Sequence, residues 1–280
     1  MPELPEVETV RAGLEPRLVG RRLERVEILD PRLTRPVHPA GVAAELEGER
    51  VTALGRRGKY LIVRFESGRV LLIHLRMTGQ LLHANGDSLP AKDAHRRAVV
   101  RLDDGSDVIY RDVRRFGTWA LFEPDELDPY LAERLGREPL VRAFTSKRLA
   151  EALAGRRAPV KAVLLDQRRV AGVGNIYADE ALWRAGIHPL RPAAELEADE
   201  VAALHRGIRA ALRAGIARQG ATLSNYRTSD GSRGTMQEEF KVYGRAGEAC
   251  ERCGTPVEKI RAAGRGTWHC PLCQPRSPAP

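Results

Sequence analysis

Met1-Pro2-Glu3-Leu4-Pro5-Glu6-Val7-Glu8 opens the chain. Two readings of this stretch stand side by side. In the first it starts a helix. Pro5 suits a first turn, where its missing N–H is no loss. Glu6 and Glu8 there complement the positive end of the helix dipole. Val7, Val10, Leu14 and Leu18 follow at helical spacing and predict an apolar stripe. In the second reading the stretch is reactive. If Met1 is removed, Pro2 becomes the N-terminus and offers a secondary amine. Free α-amino groups titrate near ~8, so a useful fraction is unprotonated at neutral pH. Attack of that amine on a sugar aldehyde gives an iminium, an electron sink that acidifies the neighbouring C–H. This is the Schiff-base chemistry usually done by lysine. Glu3 and Glu6 are near enough in sequence to move protons for it.

The bulk properties narrow the partner. A chain of 280 residues suggests two domains, and 42% hydrophobic content is enough for real cores. The net charge of +9 and pI near 9.8 favour a polyanion such as nucleic acid. Only six of the 46 basic residues are lysine. Guanidinium forks match phosphate oxygens well. No run of 18 apolar residues predicts a membrane span. No charged region followed by an apolar one predicts a secretory signal at the N-terminus. All four cysteines lie between Cys250 and Cys273, so they serve one local site. A cytosolic, reduced protein is expected.

From Arg22 to about Phe122 the chain reads as strands. Leu23–Leu29 alternates. Tyr60–Phe65 and Val70–Leu75 are apolar runs joined by Glu66-Ser67-Gly68-Arg69, a hairpin signal. Ala98–Leu102 and Val108–Tyr110 flank the turn Asp103-Asp104-Gly105, and Gly117–Phe122 closes the series. After a Pro- and acid-bearing junction at Glu123–Glu138, helices are expected at about Ser146–Ala154, Val160–Asp166, Ile176–Ala185 and Ala198–Arg218. Gln237–Tyr243 reads as a strand leading into the cysteine segment. Pro275–Pro280 is Pro- and Ser-rich, and a disordered tail is expected.

Cys250-x2-Cys253, sixteen residues, then Cys270-x2-Cys273 is zinc-ribbon spacing. Four thiolates close the tetrahedral shell, so one zinc there would be structural rather than catalytic. Disulfides are the competing reading. Lys259, Arg261, Arg265 and His269 lie between the pairs, either as a DNA-contacting finger or as a solvated charged hairpin.

Further candidates each carry a plain alternative. Gly172-Val173-Gly174-Asn175 precedes a helix, where backbone amides attract phosphate. Asn175 either caps that helix or reaches a phosphate itself. Arg114-Arg115-Phe116 sits at a loop. Its arginines can reach phosphate or a base edge, and its Phe can wedge between bases. Met77 lies just past a strand, either as a second wedge or in the core. His95 opens a strand, where a surface histidine is the plain reading. Gly58-Lys59-Tyr60 enters an apolar strand, either as a solvated strand end or beside a ligand that the glycine lets approach.

Together, Pro2–Glu8, Gly58-Lys59-Tyr60-Leu61, His74-Leu75-Arg76-Met77-Thr78-Gly79, Arg114-Arg115-Phe116-Gly117, Gly172-Val173-Gly174-Asn175-Ile176-Tyr177, Val242-Tyr243-Gly244-Arg245 and the four-cysteine finger resemble the bacterial formamidopyrimidine-DNA glycosylases. The resemblance runs in order from residue 1 to about Cys273. It implies an α+β fold: an N-terminal antiparallel β-sandwich with a leading helix, a C-terminal helix–two-turn–helix domain, and a β-hairpin zinc finger. The implied boundaries are 1–130 for the catalytic sandwich, 131–235 for the helical domain with a lesion loop, 236–273 for the finger and 274–280 for the tail.

The implied activity is base-excision repair of double-stranded DNA carrying oxidised purines or abasic sites, with strand cleavage by β,δ-elimination. By resemblance Pro2 is the Schiff-base nucleophile, Glu3 the general acid/base and Glu6 a supporting carboxylate. Lys59 is the proton donor in β-elimination, and Arg265 the finger arginine of δ-elimination. His95, Arg115, Arg157 and Asn175 match DNA-binding positions. Met77, Arg114 and Phe116 match residues that fill the gap left by an everted base. Val113 stands where many members have proline, which should alter only loop stiffness. Thr222–Gly234 resembles the lesion-capping loop. A monomer is expected, cytoplasmic and at the nucleoid when bound to DNA. The alternatives are an endonuclease VIII-like enzyme for oxidised pyrimidines, against which Leu4 speaks, and a non-catalytic zinc-ribbon DNA-binding protein.

Overall fold

The computed structural model describes residues 1–85 and 93–276. The chain divides into two compact units: Met1–Leu131 with Arg218–Gln237, and Ala132–Ala217 with Glu238–Pro280.

Helix α1 (Leu4–Leu18) leads the first unit. It is followed by β1 (Leu23–Ile28), α2 (Pro39–Leu46), β2 (Val51–Arg57), β3 (Tyr60–Phe65), β4 (Val70–His74), β5 (Gly79–Asn85), β6 (Arg96–Leu102), β7 (Ser106–Asp112) and β8 (Thr118–Phe122). The strands make two antiparallel four-stranded sheets, ordered β1-β6-β7-β5 and β2-β3-β4-β8. One core serves both sheets. Val7, Val10, Leu14 and Leu18 of α1 join Leu61, Val63 and Phe65 of β3, Leu81 of β5 and Leu102 of β6 in it. Burial of such a side chain contributes about 1.5–3 kcal/mol, so the stripe alone fixes α1 against the sheets. Every residue of β4 is buried, and Val70–Ile73 is accordingly a continuous apolar run rather than an alternating one, with His74 the one polar residue of the strand.

This unit departs from expectation at α2 and at the returning segment Arg218–Gln237. A helix, α2, interrupts the stretch read as all strand. His38 Nδ1 accepts the Ala40 N–H at 3.3 Å, and Pro39 takes the first helical position. Strands β2 and β5 fall within the stretch read as strands, although no run of their own marks them: Gly55-Arg56-Arg57 dilutes the apolar signal of the first, and Gly79 opens the second. The returning segment Arg218–Gln237 belongs to this unit: Ala221 bridges to Thr235, and Tyr226 enters the sandwich core.

Helix α3 (Leu127–Arg134) runs across the unit boundary. The second unit continues with α4 (Ser146–Leu153), α5 (Val160–Leu165), α6 (Asn175–Ala185) and α7 (Ala198–Ala217), close to the sequence expectation. It ends in a hairpin of β9 (Glu258–Ala262) and β10 (Arg265–His269). The strand expected over Gln237–Tyr243 is absent. Residues Met236–Glu239 form a 3-10 turn, and the N–H groups of Lys241, Val242 and Tyr243 all donate to Glu180 Oε1, at 2.9, 3.0 and 3.1 Å. Three successive donors converging on one buried carboxylate cannot also make a ladder. Gln274, placed in the tail by the sequence reading, is fully buried and donates to the Ile187 carbonyl at 2.8 Å. Residues 277–280 of that tail lie outside the described residues.

Candidate active site, nucleic-acid contacts and metal centre

The chain start is a helix start built from the residues of both readings. Pro2, Glu3 and Glu6 are all buried. Glu3 is the N-cap of α1, and Glu3 and Glu6 form a reciprocal capping box, with the Glu3 N–H donating to Glu6 Oε2 at 2.8 Å. The other oxygen, Glu6 Oε1, accepts the Ala221 N–H at 2.8 Å. Gly220, at φ +80°, permits that approach, since a Cβ there would stand 2.8 Å from Glu6 Cγ. Tyr226 Oη donates to the Gln219 carbonyl at 3.0 Å.

Glu8 carries the connection onward. Its two oxygens pair with Arg11 and Arg56, each at 2.8 Å, and Arg56 Nη1 donates to the Gly58 carbonyl at 3.0 Å. Gly58-Lys59 is the two-residue turn between β2 and β3, with Gly58 at φ +59° as such a hairpin requires. Lys59 is 5% exposed, which removes the solvated strand-end reading. An ammonium is buried only with compensation. Beside it, His74 packs edge-on against Tyr60 at 4.6 Å and accepts the Arg76 N–H on Nδ1 at 2.9 Å. Burial, and then the charges of Arg76 and Lys59, push its pKa down to about 3, so this imidazole is neutral.

Met77 and Phe116 sit on two loops braced by one carboxylate. Asp112 Oδ1 accepts the Thr78 hydroxyl at 2.5 Å and the Arg114 N–H at 3.2 Å, while Oδ2 accepts the Gly117 N–H at 2.8 Å. Gly79 and Gly117, which close the two loops, both lie against the buried Tyr110 hydroxyl, where any Cβ would collide. His95 joins the brace through its carbonyl, which accepts the Asp112 N–H at 2.9 Å. Phe116 is 52% exposed with the Arg114 guanidinium 4.8 Å from its ring centre, and Met77 is half-buried. Arg115 is partly exposed and held by Asp30 through a fork of 2.6 and 2.8 Å. Its φ of +59° lies in the left-handed region, at a cost of about 1–2 kcal/mol for a residue with a Cβ.

In the second unit the turn before α6 is shaped by Gln167, whose side chain bonds the Val173 carbonyl at 2.8 Å and the Gly172 N–H at 2.8 Å. Gly174, not Asn175, is the N-cap. Asn175 Nδ2 instead donates to the Gly266 carbonyl at 3.0 Å, beside Arg265 at the exposed start of β10. Lys161 and Asp179, fully buried and 2.7 Å apart, hold the same hairpin: Lys161 Nζ bonds Thr267 Oγ1 at 2.7 Å, and the Trp268 N–H bonds Asp179 Oδ2 at 3.0 Å. Burial raises the Asp179 pKa to about 7 against the pull of Lys161. Arg157 is exposed between α4 and α5. Sequence reasoning missed Asp30, Asp112, Gln167, Lys161 and Glu180. Gln167 acts within its own turn, and the other four act between distant segments. For all but Lys161 the signal that could have found them is in their partners, since Arg115, Thr78, Gly117, Gly172, Val173, Val242 and Tyr243 all lay in motifs already singled out.

The four cysteines fit a metal. Their Sγ atoms all lie within 4.8 Å of one another, and none is in a disulfide. Tetrahedral Zn–S bonds near ~2.3 Å place sulfurs at such separations. Two N–H groups already face the cluster, Trp183 Nε1 to Cys250 Sγ and the Cys273 amide to Cys270 Sγ, both at 3.4 Å. Donors of this kind steady thiolate ligands from outside the first shell. With all four positions filled by protein, the zinc is structural.

Family models match three successive segments: the formamidopyrimidine-DNA glycosylase N-terminal domain at residues 1–119, its H2TH domain at 135–227, and the zinc finger found in FPG and IleRS at 247–276. The chain belongs to the formamidopyrimidine-DNA glycosylase family. Formamidopyrimidine-DNA glycosylase of Roseiflexus sp. is 50% identical over 275 residues, covering 98% of this chain and 100% of the relative. That of Symbiobacterium thermophilum is 50% identical, covering 98% and 90%. Among solved structures, the Lactococcus lactis Fpg in complex with an abasic site containing DNA superposes with a TM-score of 0.91 at 39% identity, covering 98% of this chain and 99% of that one. The complex of the Lactococcus lactis FPG with a Fapy-dG containing DNA gives 0.90 at 40% identity, covering 98% and 100%.

Proposed function

We propose that this chain is a base-excision DNA repair enzyme that removes oxidised purines, 8-oxoguanine and formamidopyrimidines, from duplex DNA and cleaves the abasic strand. The observation that carries the reading is the buried head of α1. Pro2 lies beside a carboxylate pair whose geometry is fixed by the capping box, in a chain whose solved relatives hold Fapy-dG and abasic DNA.

The target base must first leave the stack, at a cost of roughly a few kcal/mol. Met77, Arg114 and Phe116 fill the gap, and His95, Arg115, Arg157 and Asn175 grip the backbone. With Met1 removed, the Pro2 amine attacks the sugar C1′. The C1′–N bond breaks, and the base leaves with a proton delivered by the Glu3 carboxyl. Glu6 holds Glu3 and the Ala221 segment in register. The Pro2 nitrogen then gives up its proton, and its lone pair opens the sugar ring, breaking C1′–O4′ while O4′ takes up a proton. The resulting iminium draws electrons from the C2′–H bond, and the 3′-phosphate leaves by β-elimination with Lys59 moving the proton. Arg265 neutralises the second phosphate as it departs by δ-elimination. Water then hydrolyses the iminium and frees Pro2. The zinc held by Cys250, Cys253, Cys270 and Cys273 takes no part in these steps, and its work is to fold the hairpin that presents Arg265. We assign most of the catalytic groups and part of the DNA contacts to 1–130, further DNA contacts to 131–235 and 236–273 with Arg265 in the latter, the segment 218–237 packing in the first unit, and a cytoplasmic location at the nucleoid.

The test is incubation with three end-labelled duplexes carrying 8-oxoguanine, thymine glycol or no lesion. Cleavage of the first, with phosphate on both ends of the gap, is expected. Preference for the thymine-glycol strand would move the enzyme to the endonuclease VIII branch, and no cleavage of any strand would leave a binding protein.

A further inference from the structure

We propose that Asp30 is a positioning residue for phosphate recognition: it holds the Arg115 guanidinium in one orientation, with an edge left over for the DNA backbone. The proposal deepens the DNA-binding part of the reading above. Asp30 follows β1, is 3% exposed, and is itself fixed by the Arg32 N–H, which donates to Oδ1 at 3.0 Å. Its two oxygens take Nε and Nη2 of Arg115, 85 residues away in the chain. A guanidinium has five N–H donors and keeps its charge at all working pH. The fork consumes two donors, so three remain, two of them on the Nη1–Nη2 edge of a side chain that is partly exposed.

The charge balance leaves room for a phosphate. The same carboxylate also lies 3.8 Å from Arg97 Nε. Arg97 is in turn tied to the carbonyls of Asp112 at 2.9 Å and Ala94 at 3.0 Å. One negative group therefore faces two positive ones, and a net positive charge is left for an incoming anion. Arg115 is held in the left-handed backbone region, which residues with a Cβ seldom adopt without an outside constraint. Asp30 supplies that constraint. An arginine ordered in advance avoids the loss of side-chain freedom that weakens binding.

A rival account has the opposite sign. If Asp30 merely neutralised Arg115, or repelled DNA by its own charge, removing that charge would tighten binding and steepen its salt dependence. The discriminating experiment uses the full chain with Asp30→Asn, which keeps the shape and loses the charge and one acceptor. Affinity is measured by fluorescence anisotropy for an undamaged duplex and for a duplex with a tetrahydrofuran abasic analogue, across several salt concentrations. Positioning predicts affinity lower by roughly three- to tenfold, the range expected for coupling within one ion pair, with no steeper salt slope. It places the loss of lesion cleavage in KM rather than in turnover at saturating duplex. Arg115→Lys should weaken binding similarly, because an ammonium cannot fork. Asp30→Asn added to Arg115→Ala should weaken binding no further. Asp30→Asn binding as tightly as the parent or tighter, or a full additive loss in the double variant, overturns the proposal. Should Asp30→Asn fail to fold, Arg115→Lys decides alone, and parent-like affinity there sinks the fork. The binding arms stand even if no lesion strand is cleaved, so failure of the enzymatic reading is seen separately.

Discussion

The Glu6 carboxylate receives the Ala221 N–H at 2.8 Å, a contact spanning 215 residues of chain. Its other oxygen takes the Glu3 N–H at 2.8 Å. One buried side chain thus caps the first helix and fastens the segment that returns after α7. Glutamine offers a single carbonyl oxygen, so Glu6→Gln leaves one buried N–H facing an amide NH2. A loss of about 1–3 kcal/mol is expected, the usual cost of an unsatisfied buried donor, together with slower lesion excision. Urea titration reads the first effect, and an unchanged midpoint would show that these bonds do not support the fold.

Acid should weaken the protein partly through His74. Its pKa in the folded state is about 3, depressed first by burial and then by Arg76 and Lys59, whereas an unfolded histidine titrates near ~6.5. Between those values the unfolded chain binds a proton that the folded one refuses. The contribution is therefore intact above pH ~6.5 and is lost as pH falls toward 3, at up to about 1.4 kcal/mol per pH unit. His74→Asn, whose Oδ1 can accept the Arg76 N–H in place of Nδ1, should flatten this slope. Parallel stability curves for the two proteins between pH 7 and 4 would contradict it.

Metal analysis should find about one zinc per chain, and Cys270→Ser should lose it. Binding energy in small finger peptides, about 10–16 kcal/mol, is largely folding energy, so the β9–β10 hairpin should lose its order and DNA affinity should fall with it. Full affinity in metal-free protein would show the zinc to be dispensable.

Phe116 and Met77 should act late. Phe116 is half exposed, so Phe116→Ala should leave the melting temperature nearly unchanged and undamaged-DNA binding intact while slowing 8-oxoguanine excision, because a wedge matters only once the base leaves the stack. Met77→Ala should do the same with a small loss of stability, as the side chain is half-buried. A drop of several degrees for Phe116→Ala would make it a packing residue instead.

Borohydride should trap the Pro2 iminium. Lesion DNA, enzyme and borohydride together should give a covalent adduct, and peptide mapping should place it on residue 2. Lys59 is the competing amine, so Lys59→Ala should still trap while strand cleavage slows. Glu3→Gln should fail on 8-oxoguanine yet keep some cleavage at a pre-formed abasic site. Retaining Met1, or adding an uncleaved tag, converts the nucleophile into an amide nitrogen and should abolish trapping. Adduct at the normal rate from a tagged protein would exclude Pro2.

The sequence by itself determined the elements whose signals are local. The α1 stripe, β3 and β4, the four helices of the second unit and the cysteine pairs are each written in a few consecutive residues, and each formed within a residue or two of its reading. The candidate residues Pro2, Glu3, Glu6 and Lys59 could be singled out because each sits in a short motif, and Arg265 because it lies between the two cysteine pairs. Tertiary structure alone decided what surrounds them. That Lys59 is buried, that Asp30 forks Arg115, that Asp112 braces the loops of Met77 and Phe116, and that Glu180 gathers the amides of Lys241–Tyr243 are all contacts between distant segments. A lone acidic residue in a sequence looks the same whether it is solvated or buried. Only the folded chain brings it a partner, and a carboxylate removed from water must find donors wherever the packing supplies them. Helical and strand periodicity are set by backbone geometry acting over a few residues. The pairing of buried charge is set by the whole fold.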